Sequence, residues 1–425
     1  MNNKIIKNII PICLLLILGC SRSEKKDVTL SFWAMGAEGE QVQKLIPEFE
    51  RRNPGIRVNV QMVPWTAAQE KLISSYASDN TPDLCQLGNT WVPQFSAINA
   101  IVDLDEWIKK SSNVKKENYF EGIWETNVIN GRVYGISWYI DTRVMFYRTD
   151  VFKEAGYDHP PRTWDELYDL SKKIKAIVGK DKFAVYLPTD EWSTFIIFGL
   201  QNGSAILKQN NSYGDFSGEK YKEAFEYLIR FHRENLTPAG MRQVTNVYQA
   251  LAEKYLSIYI SGPWNINEFK KWMTGDLKDK WMTAPLPGKN EYPGKSTAGG
   301  SSLVMFRASK HKEEVWKLIE YLSEPEVQIK FYGLLYNLPA VKEAWKDTSI
   351  ANNKYMKAFY EQFQNVAPTP KIPEWEQIAF SKVQQYAEAA ARGSMSIDAA
   401  LNALDHDVNI ILEKRRWLLS HSSNE

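Results

Sequence analysis

Apolar residues recur with two different periods in the first part of this chain. Val28-Thr29-Leu30-Ser31-Phe32-Trp33 predicts a strand. From Glu38 to Arg52, Val42, Leu45, Ile46 and Phe49 fall at i, i+3, i+4 and i+7, which predicts a helix. Asn53-Pro54-Gly55 stops it. Ile56, Val58, Val60 and Met62 then alternate with polar residues as a second strand. Trp65 to Ser78 predicts a second helix, and Leu84 to Leu87 a third strand. The order β-α-β-α-β implies parallel strands joined by right-handed crossovers, hence an α/β fold.

The stretch from Val128 to Phe152 reads differently. Asn130-Gly131 between Val128-Ile129 and Arg132-Val133-Tyr134 signals a two-residue hairpin, because a type I′ turn needs positive φ at both central positions. An extended, aromatic ribbon follows. It is interrupted once, by Asp141-Thr142-Arg143, and resumes as Val144-Met145-Phe146-Tyr147. This pattern predicts a strand pair crossing between two lobes, with Tyr139 and Asp141 at the crossing. Packing as an ordinary buried strand with a polar bend is the plainer alternative.

A second α/β unit follows. Thr163-Trp164-Asp165-Glu166 has the form of a capping box at the start of a helix. Phe183 to Leu187, Leu256 to Ile260 and Ala298 to Phe306 predict strands. Lys310 to Gly333 predicts two helices, with Pro325 just inside the second. From Ala351 onward the chain reads as helical, apart from the Pro-rich insert 367–373, and its last helix opens near Ser396.

In open α/β sheets, ligands sit beyond the carboxyl ends of the strands. Here those ends lead into Trp33 to Glu38, into Trp65, and into Asn89-Thr90-Trp91. In the second unit they lead into Asp190-Glu191-Trp192 and Gly262-Pro263-Trp264-Asn265. Any single Trp is as well explained by packing; the repetition at successive strand ends points to a ligand. The chain holds 15 Trp, 21 Tyr and 18 Phe, enough for cores and for flat ligand faces.

Met1 to Cys20 predicts a targeting segment rather than fold: Lys4 and Lys7 precede the apolar run Ile9 to Leu18, too short to span a bilayer. Ile17-Leu18-Gly19-Cys20 resembles the bacterial lipoprotein signal, although that signal prefers Leu first and a small residue second. The resemblance implies lipidation of Cys20 and a tether over 20–27. Several acyl chains on one Cys would anchor stably, where one is marginal. A plain secretory signal is the alternative. Cleavage leaves 50 basic against 51 acidic residues, so charge does not recommend a nucleic-acid partner. It also leaves Cys85 without a thiol partner, and Cys85 reads as a small buried hydrophobe.

Several catalytic motifs fail on spacing. Five residues separate Gly288 from Gly294-Lys295-Ser296, where a P-loop needs four, and a strand follows rather than a helix. Five scattered His residues form no HExxH, so no metal site is expected, and no GxSxG is present. No cofactor is expected either. Glu38, Asp141 and Glu191 are strand-end carboxylates that fit a glycosidase pair or plain hydroxyl acceptors equally well.

Taken in order, Leu30 to Trp33, Asn53-Pro54-Gly55-Ile56, Thr81-Pro82-Asp83-Leu84, Phe146-Tyr147-Arg148, Pro161 to Leu167, Gly262-Pro263-Trp264, Ala284 to Gly288, Gly299-Gly300 and Leu338-Pro339-Ala340 resemble the bacterial extracellular solute-binding proteins of family 1. These include the maltose- and trehalose-type sugar receptors of ABC importers. The resemblance implies a two-lobed periplasmic-binding-protein fold around a cleft. It implies an N-terminal lobe of 28–138 plus 298–346, a C-terminal lobe of 139–297 plus 347–417, and a signal peptide over 1–19. Ligand groups would fall on Glu38, Trp65, Asn89, Tyr139, Asp141, Trp192, Trp264, Gly300 and Trp375. Sugar receptors often carry Asp where this chain has Asn89, which alters the hydroxyl pattern read there. The expected protein is therefore a membrane-anchored, extracytoplasmic, monomeric sugar receptor that serves an ABC permease and is not an enzyme. A same-fold receptor for an amino acid, peptide or polyamine, and a surface glycan hydrolase or lyase, are the alternatives.

Overall fold

The computed structural model describes residues 27–238 and 244–422. The targeting segment and Cys20 lie outside the described residues. The chain lays down β1 (Val28–Met35), β2 (Ile56–Val63) and β3 (Leu84–Gly88), then the hairpin β4 (Val128–Ile129) and β5 (Arg132–Val133). Asn130 and Gly131 at its turn have φ of 50° and 78°, as a type I′ turn requires. β6 (Ile136–Asp141) and β7 (Val144–Arg148) form the ribbon. β8 (Val185–Tyr186), the short pair β9 (Leu207–Lys208) and β10 (Tyr213–Gly214), β11 (Ile258–Ser261) and β12 (Trp281–Ala284) follow. β13 (Ser296–Thr297), β14 (Gly299–Met305), β15 (Leu338–Pro339) and β16 (Val366–Ala367) complete the strands.

Two sheets organise two lobes. One has six strands in the order β15-β6-β14-β3-β1-β2, the other four in the order β12-β7-β11-β8. β1 pairs in parallel with β2 and β3, whereas β14 runs antiparallel to both β3 and β6, so the larger sheet is mixed. The ribbon changes sheet at Thr142-Arg143. Tyr139, Ile140 and Asp141 stay in the larger sheet, opposite Ser301, Gly300 and Gly299. At the crossing, Thr142 Oγ1 donates to the Thr297 carbonyl (2.9 Å) and Ser296 Oγ donates to the Arg143 carbonyl (3.0 Å). β13 also pairs with β16, so three passes of chain lie side by side here.

The expected helix over 38–52 is two helices, Gly36–Val42 and Ile46–Arg52. Pro47 has no N–H to continue the first helix and fits the opening turn of the second. Thr163 caps the helix Trp164–Val178 by accepting from the Glu166 N–H, while the Glu166 carboxylate reaches the Arg162 N–H. Ser396 caps Ile397–Ile411, and a further helix, Glu413–Ser422, ends the described chain. Much of the aromatic surplus is core: Trp138 stacks on Phe331 at 4.5 Å and Trp281 on Tyr355 at 3.9 Å. Cys85 is fully buried.

Candidate functional site

Each parallel strand of the larger sheet delivers one group to the same edge. β1 runs into the short helix Gly36–Val42 and places Glu38 in its first turn. There Glu38 accepts from Asn337 Nδ2 at 2.9 Å and from Trp65 Nε1 at 3.4 Å. β2 leads to Trp65 at the head of the next helix, with its ring edge-on to Trp91 at 5.6 Å. β3 ends at Asn89, whose amide donates to the Ala298 carbonyl at 2.9 Å and is thereby fixed.

Tyr139, on β6, is held from two sides. Its hydroxyl accepts from Ser301 Oγ (2.9 Å) and Gln86 Nε2 (3.1 Å), and Gln86 in turn accepts from the Met35 N–H (2.8 Å). Burial pushes the Tyr139 hydroxyl well above its ordinary pKa, and the negative charge of Glu38 adds to the effect. Gly300 stands opposite with φ of 119°, and a Cβ there would fall 2.3 Å from the Tyr139 carbonyl oxygen. Glycine is required at this position by backbone approach.

The crossing supplies a charged cluster. Arg143 Nη1 donates to Asp141 Oδ1 at 2.9 Å, and Nη2 lies 3.8 Å from Glu191 Oε1. Burial raises the Asp141 carboxyl above its usual range, with Arg143 pulling the other way. Glu191 also caps the helix Trp192–Gln201, accepting from the Ser193 N–H and hydroxyl. The Trp264 ring lies over the Arg143 guanidinium at 4.8 Å and is 46 % exposed. It folds back over Gly262, where a Cβ would fall 2.0 Å from its Cζ3.

These groups meet at a cavity of about 300 Å³, lined among others by Trp65, Asn89, Tyr139, Asp141, Trp192 and Gly300. That size suits a small ligand. Three expected residues stand apart from its lining. Glu38 is tied to Trp65 and Asn337 just behind it, and Trp264 covers Arg143 from the open side. Trp375 is fully buried, edge-on to Trp192 at 5.9 Å, and supports the wall from within. The ring that does reach the surface nearby is Phe380, 53 % exposed and 5.5 Å from Trp192. Arg143, Trp91, Thr369, Glu376 and Phe380 line the cavity without having been expected as ligand groups. Trp91 belongs to the strand-end triplet Asn89-Thr90-Trp91 and Arg143 adjoins Asp141; Thr369 lies in the Pro-rich insert and Glu376 and Phe380 in the helical tail, where no strand end marks them. Larger hollows of about 820 and 520 Å³ open elsewhere, around Trp345 and Tyr360 and around Trp164 and Tyr227. Neither receives the end of β1, β2 or β3.

Among the described residues no group of three or more His, Cys, Asp or Glu is placed to hold a metal ion, and no helix is long and apolar enough to cross a membrane. The family profile described as bacterial extracellular solute-binding protein matches residues 34–329. The chain belongs to that family. It is similar to the sugar-binding protein MalE of Xanthomonas citri, at 42 % identity over 92 % of this chain and 99 % of that one, with a TM-score of 0.90. Among curated relatives, the diacetylchitobiose binding protein DasA of Streptomyces coelicolor is 24 % identical, over 88 % of this chain and 87 % of its own. A maltooligosaccharide ABC transporter solute-binding lipoprotein of Streptococcus pneumoniae is 24 % identical, over 78 % of this chain and 77 % of its own. As a family member, the protein has the two-lobed fold with its cleft between the sheets.

Proposed function

We propose that this protein captures a sugar or short oligosaccharide in the cleft between its lobes and delivers it to the permease of an ABC importer. The observation that carries this reading is the cavity itself. Strand ends of the larger sheet converge there on Trp65 and Tyr139, and the second lobe answers with Trp192. A sugar ring has apolar C–H faces and a polar rim. Aromatic rings bury the faces, and carboxylates and amides take the hydroxyls. The similarity to a sugar-binding MalE supports the ligand class.

Binding without catalysis fits the carboxylates. Glu38 accepts from Trp65 and Asn337, Asp141 is paired with Arg143, and Glu191 caps a helix. All three are engaged by protein groups, whereas a glycosidase needs one carboxyl poised as acid and another as base or nucleophile. The anchor is lipidated Cys20, and the receptor works outside the cytoplasmic membrane as a monomer. Cys20→Ala should leave an uncleaved precursor, and the wild type should partition into detergent.

A thermal-shift screen with maltose, maltotriose and diacetylchitobiose tests the ligand class. A ligand at about 100 times its Kd adds roughly 2.7 kcal/mol, a shift of several degrees. No shift with any of the three, alongside a shift with an amino acid, peptide or polyamine, would replace the sugar reading with that of another solute. New saccharide products after incubation would make the protein an enzyme.

A further inference from the structure

Glu376 sits in the short helical turn Trp375–Gln377, one residue after a Trp that is fully buried beneath Trp192. That buried ring fixes the turn, and Glu376 lines the cavity wall with Thr90, Trp91 and Phe380. Its Oε1 is buried and has no hydrogen-bond partner. Burial pushes its pKa up, and hydrogen bonding of the carboxylate from the Thr90 and Trp91 side chains, just past β3, offsets that only part-way, leaving Oε1 itself unpaired. A π-helical stretch, Ile378–Val383, follows at once and carries Phe380 at the same wall. Such irregular turns are frequent at functional sites.

A buried carboxylate oxygen without a donor is costly, and a donor brought by a ligand removes that cost. An ionised carboxylate accepts and does not donate. We propose that Glu376 is a specificity-determining residue of the cleft, its Oε1 accepting a hydrogen bond from one hydroxyl of the bound saccharide beside Phe380. The site then demands a donor at that position. A sugar lacking that hydroxyl, or carrying a carboxylate there, is refused. The proposal rests on the sugar-receptor reading above.

Calorimetric titration of the full mature chain with maltotriose and diacetylchitobiose tests it. Whichever sugar binds the wild type should bind Glu376→Gln and Glu376→Ala roughly ten- to a hundredfold more weakly, the scale of one charge-assisted hydrogen bond. The unliganded melting temperatures of both variants should not fall. Monodeoxy analogues of that sugar supply the readout a structural role would not move. One analogue should lose a similar factor on the wild type and lose nothing further on Glu376→Ala. Undiminished affinity in both variants, or additive losses for every analogue, overturns the role of Glu376 and leaves the receptor reading intact. Failure of the wild type to bind either sugar overturns both.

Discussion

The two walls of the cleft are built on opposite plans. On the larger sheet, Glu38, Asn89 and Tyr139 are already hydrogen-bonded to Asn337, to the Ala298 carbonyl and to Gln86 with Ser301. On the other side, Trp264 and Phe380 are about half exposed, Glu376 Oε1 has no partner, and Arg143 is shared between two carboxylates. One wall is preorganised and gains little internal satisfaction when a ligand arrives. The other holds open apolar faces and an unmet acceptor, and it gains most from closing on a sugar. Lobe closure of this kind is a hinge motion, and the closed form is what a permease can distinguish.

The largest expected effect breaks the open wall. Trp264 stands outside the lining of the open cavity, so a sugar face would cover its ring only once the lobes close; if it does, Trp264→Ala costs about 2–4 kcal/mol of binding, or roughly thirty- to a thousandfold. Because the ring is 46 % exposed, the unliganded melting temperature should change little, unlike the loss of about 3–5 kcal/mol for a core Trp. Titration with unliganded melting separates the two; native affinity would make Trp264 scaffold.

The next effect breaks the preorganised wall. Tyr139→Phe takes the acceptor from Ser301 Oγ and one of two acceptors from Gln86 Nε2, which keeps Ser301 Oγ at 3.2 Å, and should cost about 1–3 kcal/mol of stability before any ligand is added. Denaturant unfolding without sugar measures it, and an unchanged midpoint would show that this wall is not held by its network. Gly300→Ala strains the same wall, since φ is 119° and the added Cβ meets the Tyr139 carbonyl; roughly 1–3 kcal/mol is expected by the same measurement.

The smallest effect is a pH dependence. Glu376 has a folded pKa above its ordinary 4.5, so the folded state favours its protonated form. Its contribution to stability is fully present below about 4.5 and is lost as pH rises through the raised folded value. Glu376→Gln should therefore match the wild type in acid and exceed it at neutral pH. Melting curves across that range check the sign, and a wild type that outlasts the variant at neutral pH would contradict it.

Much of the fold was legible because it is local. The type I′ turn needs Asn130-Gly131, and the alternation at Ile56, Val58, Val60 and Met62 marks β2. The strand-end rule found Trp65, Asn89 and Trp192, which line the cavity. Trp375 came only from the family resemblance, which could not tell it from Trp192, because which of the two rings lines the cavity depends on how a distant helix packs. Neither the strand-end rule nor the resemblance picked out Glu376, one residue from Trp375. Gly300 was chosen as a ligand group, yet its backbone approach to Tyr139 explains the glycine, and that contact spans about 160 residues of sequence. The break at Pro47 was local and readable; the apolar period ran through it and masked it.

A ligand held between both walls should protect both, and hydrogen exchange measures that directly. Peptides covering Gly36–Val42 and Asn89–Trp91 report on one wall, and peptides covering Asn265–Trp272 and Trp375–Gln377 report on the other. Saturation with a sugar that binds should slow exchange on both sides at once. Slowing confined to one wall, or placed instead around Trp345 and Tyr360, would contradict the account.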